Sequence, residues 1–156
     1  MLKTNRSSGF TLVELLVTLT IIGILTAIAV PSYQNYVIRG SRTAAQTELL
    51  QLASLQEKIY LNSNCYTSSI TMAYNGTAAI NNCTAVPVVS TGGLNHTDGL
   101  TSDGKYTLSI TTSGTQQTFT ITATPVPGKT QENDGTISIS ENGLKTWANG
   151  AASGTW

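Results

Sequence analysis

A single carboxylate interrupts an otherwise apolar run. From Phe10 to Val30 the only departures from apolar character are a few threonines, Gly23 and one charge, Glu14. A carboxylate near the centre of a membrane helix costs roughly 3 kcal/mol on insertion scales, so an acid placed there is a functional candidate. The alternative is a position close enough to the edge of the apolar layer for its oxygens to reach water. The two cysteines, Cys65 and Cys83, are the next candidates. They lie in an Asn/Thr/Ala-rich stretch with no His or acidic ligand at metal spacing. We expect one disulfide, which needs an oxidising compartment; two free thiols are the alternative. A bridge would close a loop of roughly twenty residues and contribute on the order of 3 kcal/mol in the chain-entropy model.

The remaining chemistry-bearing residues are sparse. His96 stands among Asn95, Thr97 and Asp98 and reads as a solvated loop histidine. Asp98 and Asp103 are too few for an EF-hand, leaving a loop calcium site as a minor alternative. The sequence has no Ser/His/Asp set, no phosphate-cradling glycine loop and no paired carboxylates. No catalytic residue, cofactor or metal ligand is therefore expected, and an enzyme is the least favoured class.

Composition agrees with an exported, polar domain. Charged residues make up 10% of the 156 positions, against about 25% in typical soluble domains. Thr, Ser, Asn and Gly fill the difference. The formal net charge is zero, so there is no bulk electrostatic attraction for nucleic acid.

The elements that must position Glu14 follow from periodicity. The 21 residues from Phe10 to Val30 would rise about 31 Å as a helix, enough to cross a bilayer core. Lys3 and Arg6 precede them, which predicts a cytoplasmic N-terminus. A secretory signal would carry small residues at a cleavage site after the apolar run; here Pro31, Ser32 and Tyr33 lead into more helix. Ala45, Leu49, Leu52, Ala53, Ile59 and Tyr60 recur at helical steps, with Arg42, Gln46, Glu48, Gln56 and Glu57 between them. This predicts an amphipathic helix over 31–61 whose stripe packs on a sheet. Asn62-Ser63-Asn64 should end it. Residues 62–104 have weak periodicity and hold both cysteines. Over 105–156, alternation at Tyr106/Leu108/Ile110, Phe119/Ile121/Ala123 and Ile137/Ile139 predicts strands. A hairpin turn is expected at Thr112-Ser113-Gly114-Thr115, and a last short strand near Leu144–Trp147. One apolar face and one Thr/Ser face imply an antiparallel sheet covered on one side by the helix, an α+β fold.

The segment Gly9-Phe10-Thr11-Leu12-Val13-Glu14 resembles the class-III leader of type IV pilins and pseudopilins at every position. The resemblance implies a leader over 1–9, cut after Gly9 by a prepilin peptidase, then N-methylation of Phe10. It implies that Glu14, five residues into the mature chain, is required for assembly. Residues 62–104 would correspond to the αβ-loop. Clipping would remove Lys3 and Arg6 and leave six basic against eight acidic residues, a net charge of −2. The chemistry is intelligible: an α-amine and a carboxylate in a low-dielectric layer attract strongly and lower each other's burial cost. Glu14 of an incoming subunit would meet the Phe10 amine of a neighbour, fixing axial register. Pro31 lacks a helix N–H and crowds the preceding turn; in assembled filaments of the family the helix melts between the positions of Gly23 and Pro31. Packing in a membrane helix is the alternative reading of both residues.

The C-terminal half is similar to PilE-type minor pilins. The carriers are Tyr106-Thr107-Leu108, Phe119 to Pro125, Gln131, Asp134-Gly135, Asn142-Gly143-Leu144-Lys145 and Trp156. Many relatives carry cysteines where this chain has Asp134 and Thr155, so the usual C-terminal disulfide is absent; the bond has moved to Cys65–Cys83 or been lost. The resemblance implies a filament subunit, more a minor than a major pilin, serving adhesion, twitching motility or DNA uptake. It would lie in the bacterial inner membrane as a single-pass precursor, then in an extracellular filament. The implied partners are other pilin subunits, the prepilin peptidase and the pilus assembly platform. Two alternatives are a DNA-binding minor pilin of a competence pilus and a type II secretion pseudopilin. For DNA the available cations are few: Arg39, Arg42, Lys58, Lys105, Lys129 and Lys145.

Overall fold

The computed structural model describes residues 10–73, 93–96 and 98–156. Helix α1 runs Leu12–Ser63, and five strands follow: β1 Tyr106–Thr112, β2 Phe119–Pro125, β3 Thr136–Ser140, β4 Lys145–Asn149 and β5 Ala152–Gly154. The chain divides into two compact units, one ending at Val37 and one beginning at Ile38. Within the described residues of the first, everything is helix from Leu12 onward. Thr11 caps it, its Oγ1 accepting from the Glu14 amide at 3.2 Å, as N-cap hydroxyls do.

The second unit is an antiparallel meander, β1-β2-β3-β4-β5 in space as in sequence. Pairs such as Leu108↔Ala123 and Ile121↔Ile139 place the apolar positions of neighbouring strands on one face. The helix supplies Ala45, Leu49, Leu52 and Ile59 to the same core, with Tyr106, Phe119, Ile121, Ala123, Ile137 and Ile139 from the sheet. Gln56 occupies the stripe between Leu52 and Ile59 and is fully buried, although its polarity suggests an outer position. Its amide resolves the conflict: Nε2 donates to the Thr67 carbonyl at 2.7 Å, and Oε1 accepts from the Thr67 amide at 3.0 Å. Both polar ends are satisfied, so burial costs little.

Three boundaries differ from the sequence expectation. The helix continues to Ser63 rather than Leu61, where Ser63 Oγ donates to the Ile59 carbonyl at 2.8 Å. The β1–β2 connection spans 113–118 instead of a tight turn. Its left-handed residue is Gln116, with φ 52°, not Gly114. The segment after the helix dictates this shape: Tyr66 N–H donates to the Gln116 carbonyl at 3.0 Å, and Tyr60 OH donates to Gln117 Oε1 at 2.8 Å. The last strand extends to Asn149 and is joined by β5, turning at Gly150 with φ 58°. All three β5 residues are exposed, so no apolar alternation announces that strand. At the other edge, Leu108 N–H donates to the Gly99 carbonyl at 2.7 Å and Leu100 bridges Thr107, which covers the free edge of β1.

Tyr66 packs between Tyr60 and Phe119, with ring centroids 4.6 and 4.7 Å away. Burial, then the hydrogen bond to Glu57, pushes its phenol up from 10.0 to about 12. Burial, then the hydrogen bond to Asp134, pushes Tyr106 up as well. The neutral phenols favour the fold, so this stability is complete below pH 10 and is lost as pH rises towards 12. Alkaline titration followed by phenolate absorbance should show these two tyrosines ionising together with loss of near-UV circular dichroism. Ionisation of all six tyrosines near pH 10 with the fold intact would contradict it.

Candidate functional site

The first candidate region is the N-terminal turn of α1. Phe10 is 73% exposed, and Glu14 is the acid of the first helical turn, where a negative charge complements the helix dipole. Gly9 lies outside the described residues, so the expected cleavage junction is placed on one side only. Leu12, Leu15, Leu16, Leu19, Ile22 and Leu25 are all more than half exposed. The helix is long and apolar enough to cross a membrane, and none of its most apolar 18-residue stretch is buried within the chain. The threonines fit such a layer because their hydroxyls bond the helix itself. Thr18 donates to the Leu15 carbonyl at 2.9 Å, Thr20 to Leu16 at 2.8 Å and Thr26 to Ile22 at 2.7 Å.

Gly23 and Pro31 both lie inside α1. A Cβ at Gly23 would meet nothing within 4 Å, so no contact among the described residues requires glycine there. Pro31 removes the donor that would reach the Ala27 carbonyl, yet the helical assignment runs through it. The melted stretch expected in a filament concerns the assembled state.

Cys65 follows the helix and is buried, at 2% exposure. Cys83 lies outside the described residues.

A second constellation escapes the sequence reading. Asp134, on the β2–β3 connection, is buried, and its side chain is 2% exposed. Arg42 of α1 forms a two-pronged ion pair with it, Nε donating to Oδ2 at 2.9 Å and Nη2 to Oδ1. Tyr106 OH donates to Oδ2, and Gln131 Nε2 approaches the same oxygen at 3.2 Å. Gln131 Nε2 also donates to the Ile38 carbonyl at 2.9 Å. Trp147 Nε1 donates to the Asp134 carbonyl at 2.7 Å, and the Arg42 guanidinium lies 5.0 Å from the Trp147 ring centre. The hydrogen bond to Asp134 raises the Arg42 pKa further, against the lowering effect of burial. Gly135 follows with φ 92°, and a Cβ there would lie 2.5 Å from the Ala148 carbonyl oxygen. Asp134 therefore fastens the β2–β3 connection to the helix by charge. Tyr106, Gln131 and Asp134 are legible as carriers of the resemblance; Arg42 is not.

His96 is also better connected than a solvated loop residue. Its Nε2 lies 2.6 Å from Glu48 Oε1, with the side chain 19% exposed. Glu48 also accepts from the Ser102 amide at 3.1 Å. This clamp holds the segment before β1 on the helix. Among the described residues no group of three or more His, Cys, Asp or Glu is arranged for a metal ion. The arrangement around Glu48 and Asp134 thus performs a structural task, while the apolar stretch from Leu12 to Val30, with its single acid Glu14, is exposed among the described residues.

Residues 31–138 match the family described as type IV minor pilin ComP, DNA uptake sequence receptor. Residues 4–30 match the prokaryotic N-terminal methylation motif. The chain is 37% identical to the type IV major fimbrial protein FimA of Dichelobacter nodosus over 114 residues, 69% of this chain and 72% of that protein. It is 44% identical to a fimbrial protein of Pseudomonas aeruginosa over 67 residues, 43% of this chain and 44% of that one. A solved type IV pilin from Shewanella oneidensis is similar at 20% identity and a TM-score of 0.46, covering 76% of this chain and 97% of that chain. The family match spans more than half of the sequence and the methylation motif covers the apolar start, so the chain belongs to the type IV pilin family and is a structural subunit of that kind.

Proposed function

We propose that this protein is a minor pilin, cut after Gly9 by a prepilin peptidase and N-methylated at Phe10. It waits in the inner membrane as a single-pass precursor and enters a surface filament through its N-terminal helix. The observation that carries this reading is the exposed apolar helix bearing one acid in its first turn. Such a surface needs lipid before assembly and neighbouring subunits after it. In the filament, Glu14 pairs with the Phe10 amine of an adjacent subunit, and the stretch from Gly23 to Pro31 loosens to allow packing. Sheared surface filaments should contain the protein at a small proportion of total pilin by quantitative immunoblot. Its absence from filaments, with abundant protein in the membrane, would reject the reading.

Cys65 and Cys83 form a disulfide in this reading. It is supported by the burial of Cys65 and by the oxidising space the domain would enter. Thiol labelling without reductant should find no reactive cysteine in the folded protein; two labelled thiols would reject the bridge.

A second reading is DNA capture by the same subunit, favoured by the match to a family described as a DNA uptake sequence receptor. Several cations are committed elsewhere: Arg42 to Asp134, Lys105 to Ser41 at 2.6 Å, and Lys145 over the Trp156 ring at 5.2 Å. Arg39, Lys58 and Lys129 are exposed and remain available for phosphate. A DNA-shift assay should show binding that weakens as salt rises. Retardation independent of salt, or none at low salt, would reject this role.

A further inference from the structure

We propose that Tyr33 and Tyr36 form an interfacial anchor that holds the unassembled subunit at a fixed depth in the outer headgroup layer of its membrane. This inference rests on the membrane reading of the apolar helix given above. The two tyrosines follow directly on the apolar run, after Pro31 and Ser32, and are 69% and 76% exposed. Both belong to the same compact unit as that run. They stand at i and i+3 of a continuous helix, so their rings leave it on neighbouring sides. No charged residue lies between Glu14 and Arg39, so nothing forces the backbone at these tyrosines out into bulk water.

The distances agree with the thickness of the polar layer. Along a helix, Tyr33 lies about 4.5 Å beyond Val30 and Tyr36 about 9 Å beyond it. The headgroup layer is about 5–8 Å deep on each side of the hydrocarbon core. Helical side chains lean towards the N-terminus, and here the N-terminus is the membrane end. Both rings therefore reach back over the preceding turn into that layer. A tyrosine there keeps its ring among acyl carbons and its hydroxyl among headgroups, which neither water nor the hydrocarbon centre offers. Together with the exposed apolar run that they adjoin, the two rings form a contiguous patch that calls for a partner. The apolar span immediately before them supplies a lipid one by continuity.

Anchoring fixes more than the tyrosines. Glu14 sits near the other end of the same run, and the helix rises about 1.5 Å per residue between them. A fixed depth at Tyr33 and Tyr36 therefore holds Glu14 at one level, ready to meet a neighbour's amine at constant height.

The test uses the full chain reconstituted in phosphatidylcholine vesicles whose acyl chains carry bromine either close to the headgroup or deep in the core. Single Trp probes are introduced as Tyr33→Trp, Tyr36→Trp and Ile22→Trp, and the parent protein with Trp147 and Trp156 gives the baseline. The added fluorescence of Tyr33→Trp and Tyr36→Trp should be quenched more by shallow than by deep bromine, and that of Ile22→Trp more by deep bromine. In a Tyr33→Ser/Tyr36→Ser background, the Ile22→Trp probe should lose its sharp depth preference. Deep quenching of Ile22→Trp with no quenching at the tyrosine positions overturns the anchor and leaves the membrane reading standing. An unchanged Ile22→Trp depth profile in the double-serine background also overturns the anchor, since the tyrosines would then occupy the layer without setting depth. No quenching at any position, Ile22→Trp included, overturns the membrane reading and the anchor with it. A blue shift of Tyr33→Trp and Tyr36→Trp emission that appears only at high protein-to-lipid ratio, with no quenching by either bromolipid, assigns those rings to a protein interface and overturns the lipid anchor.

Discussion

Glu14→Ala is expected to remove most filament incorporation while the sheet unit stays folded. The core cluster begins at Ala45 and includes no residue of the N-terminal segment, so its packing does not depend on Glu14. Removing a charge from the apolar run also eases membrane insertion. What is lost, in the proposed assembly, is the partner for the Phe10 amine of an adjacent subunit. An ammonium left unpaired in a low-dielectric layer is the costly half of a broken buried pair, about 3–5 kcal/mol. That corresponds to a fall of roughly a hundredfold or more in the incorporation equilibrium. Glu14→Asp keeps the charge but loses reach, so it should recover only part of the effect. The measurement is the ratio of sheared-filament to membrane-bound protein by immunoblot. Equal incorporation of Glu14→Ala and the parent would show that the ion pair does not drive assembly.

The second large effect lies at Asp134. Asp134→Ala should destabilise the sheet unit by about 3 kcal/mol, the lower end of the range for breaking a buried pair. The lower end applies because the Arg42 side chain is 30% exposed and can turn towards water, whereas Tyr106 is fully buried and loses its acceptor. For a unit of this size the melting temperature should fall by about 10 °C. Replacing both charges, as Arg42→Met/Asp134→Leu, should cost less than Asp134→Ala because no unpaired charge remains. Thermal unfolding in detergent of the parent, the double variant and its two component single variants, Arg42→Met and Asp134→Leu, decides between charge locking and simple packing. If the double variant is as unstable as the sum of the two single changes, the ion pair is not a coupled unit.

What was legible in the sequence follows from range. Glu14 could be found because it is the one charge in a run that is otherwise apolar from Phe10 to Val30, so the anomaly is local. The helix stripe at Ala45, Leu49, Leu52 and Ile59 and the alternation at Tyr106 and Phe119 are likewise local periodicities, and each reaches the core. The Arg42–Asp134 pair joins positions 92 apart, and His96–Glu48 joins positions 48 apart. Nothing in the surroundings of either residue names its partner. Gln56 fails for a related reason: its side chain satisfies a backbone eleven residues on, so a polar residue occupies an apolar position without penalty. Strand β5 is held by backbone pairing of Ala152 with Asn149 and Gly154 with Trp147, and backbone pairing leaves no pattern in side-chain type.

The identity of the mature N-terminus tests the central claim most directly. Protein recovered from sheared filaments should begin at Phe10 with an N-methylated amine, because the junction Gly9–Phe10 precedes the apolar run and the amine it exposes is the partner proposed for Glu14. Intact mass and terminal peptide sequencing by mass spectrometry read this without a variant. A chain that begins at Met1, or one cut beyond Val30 so that the apolar run is gone, would contradict the account.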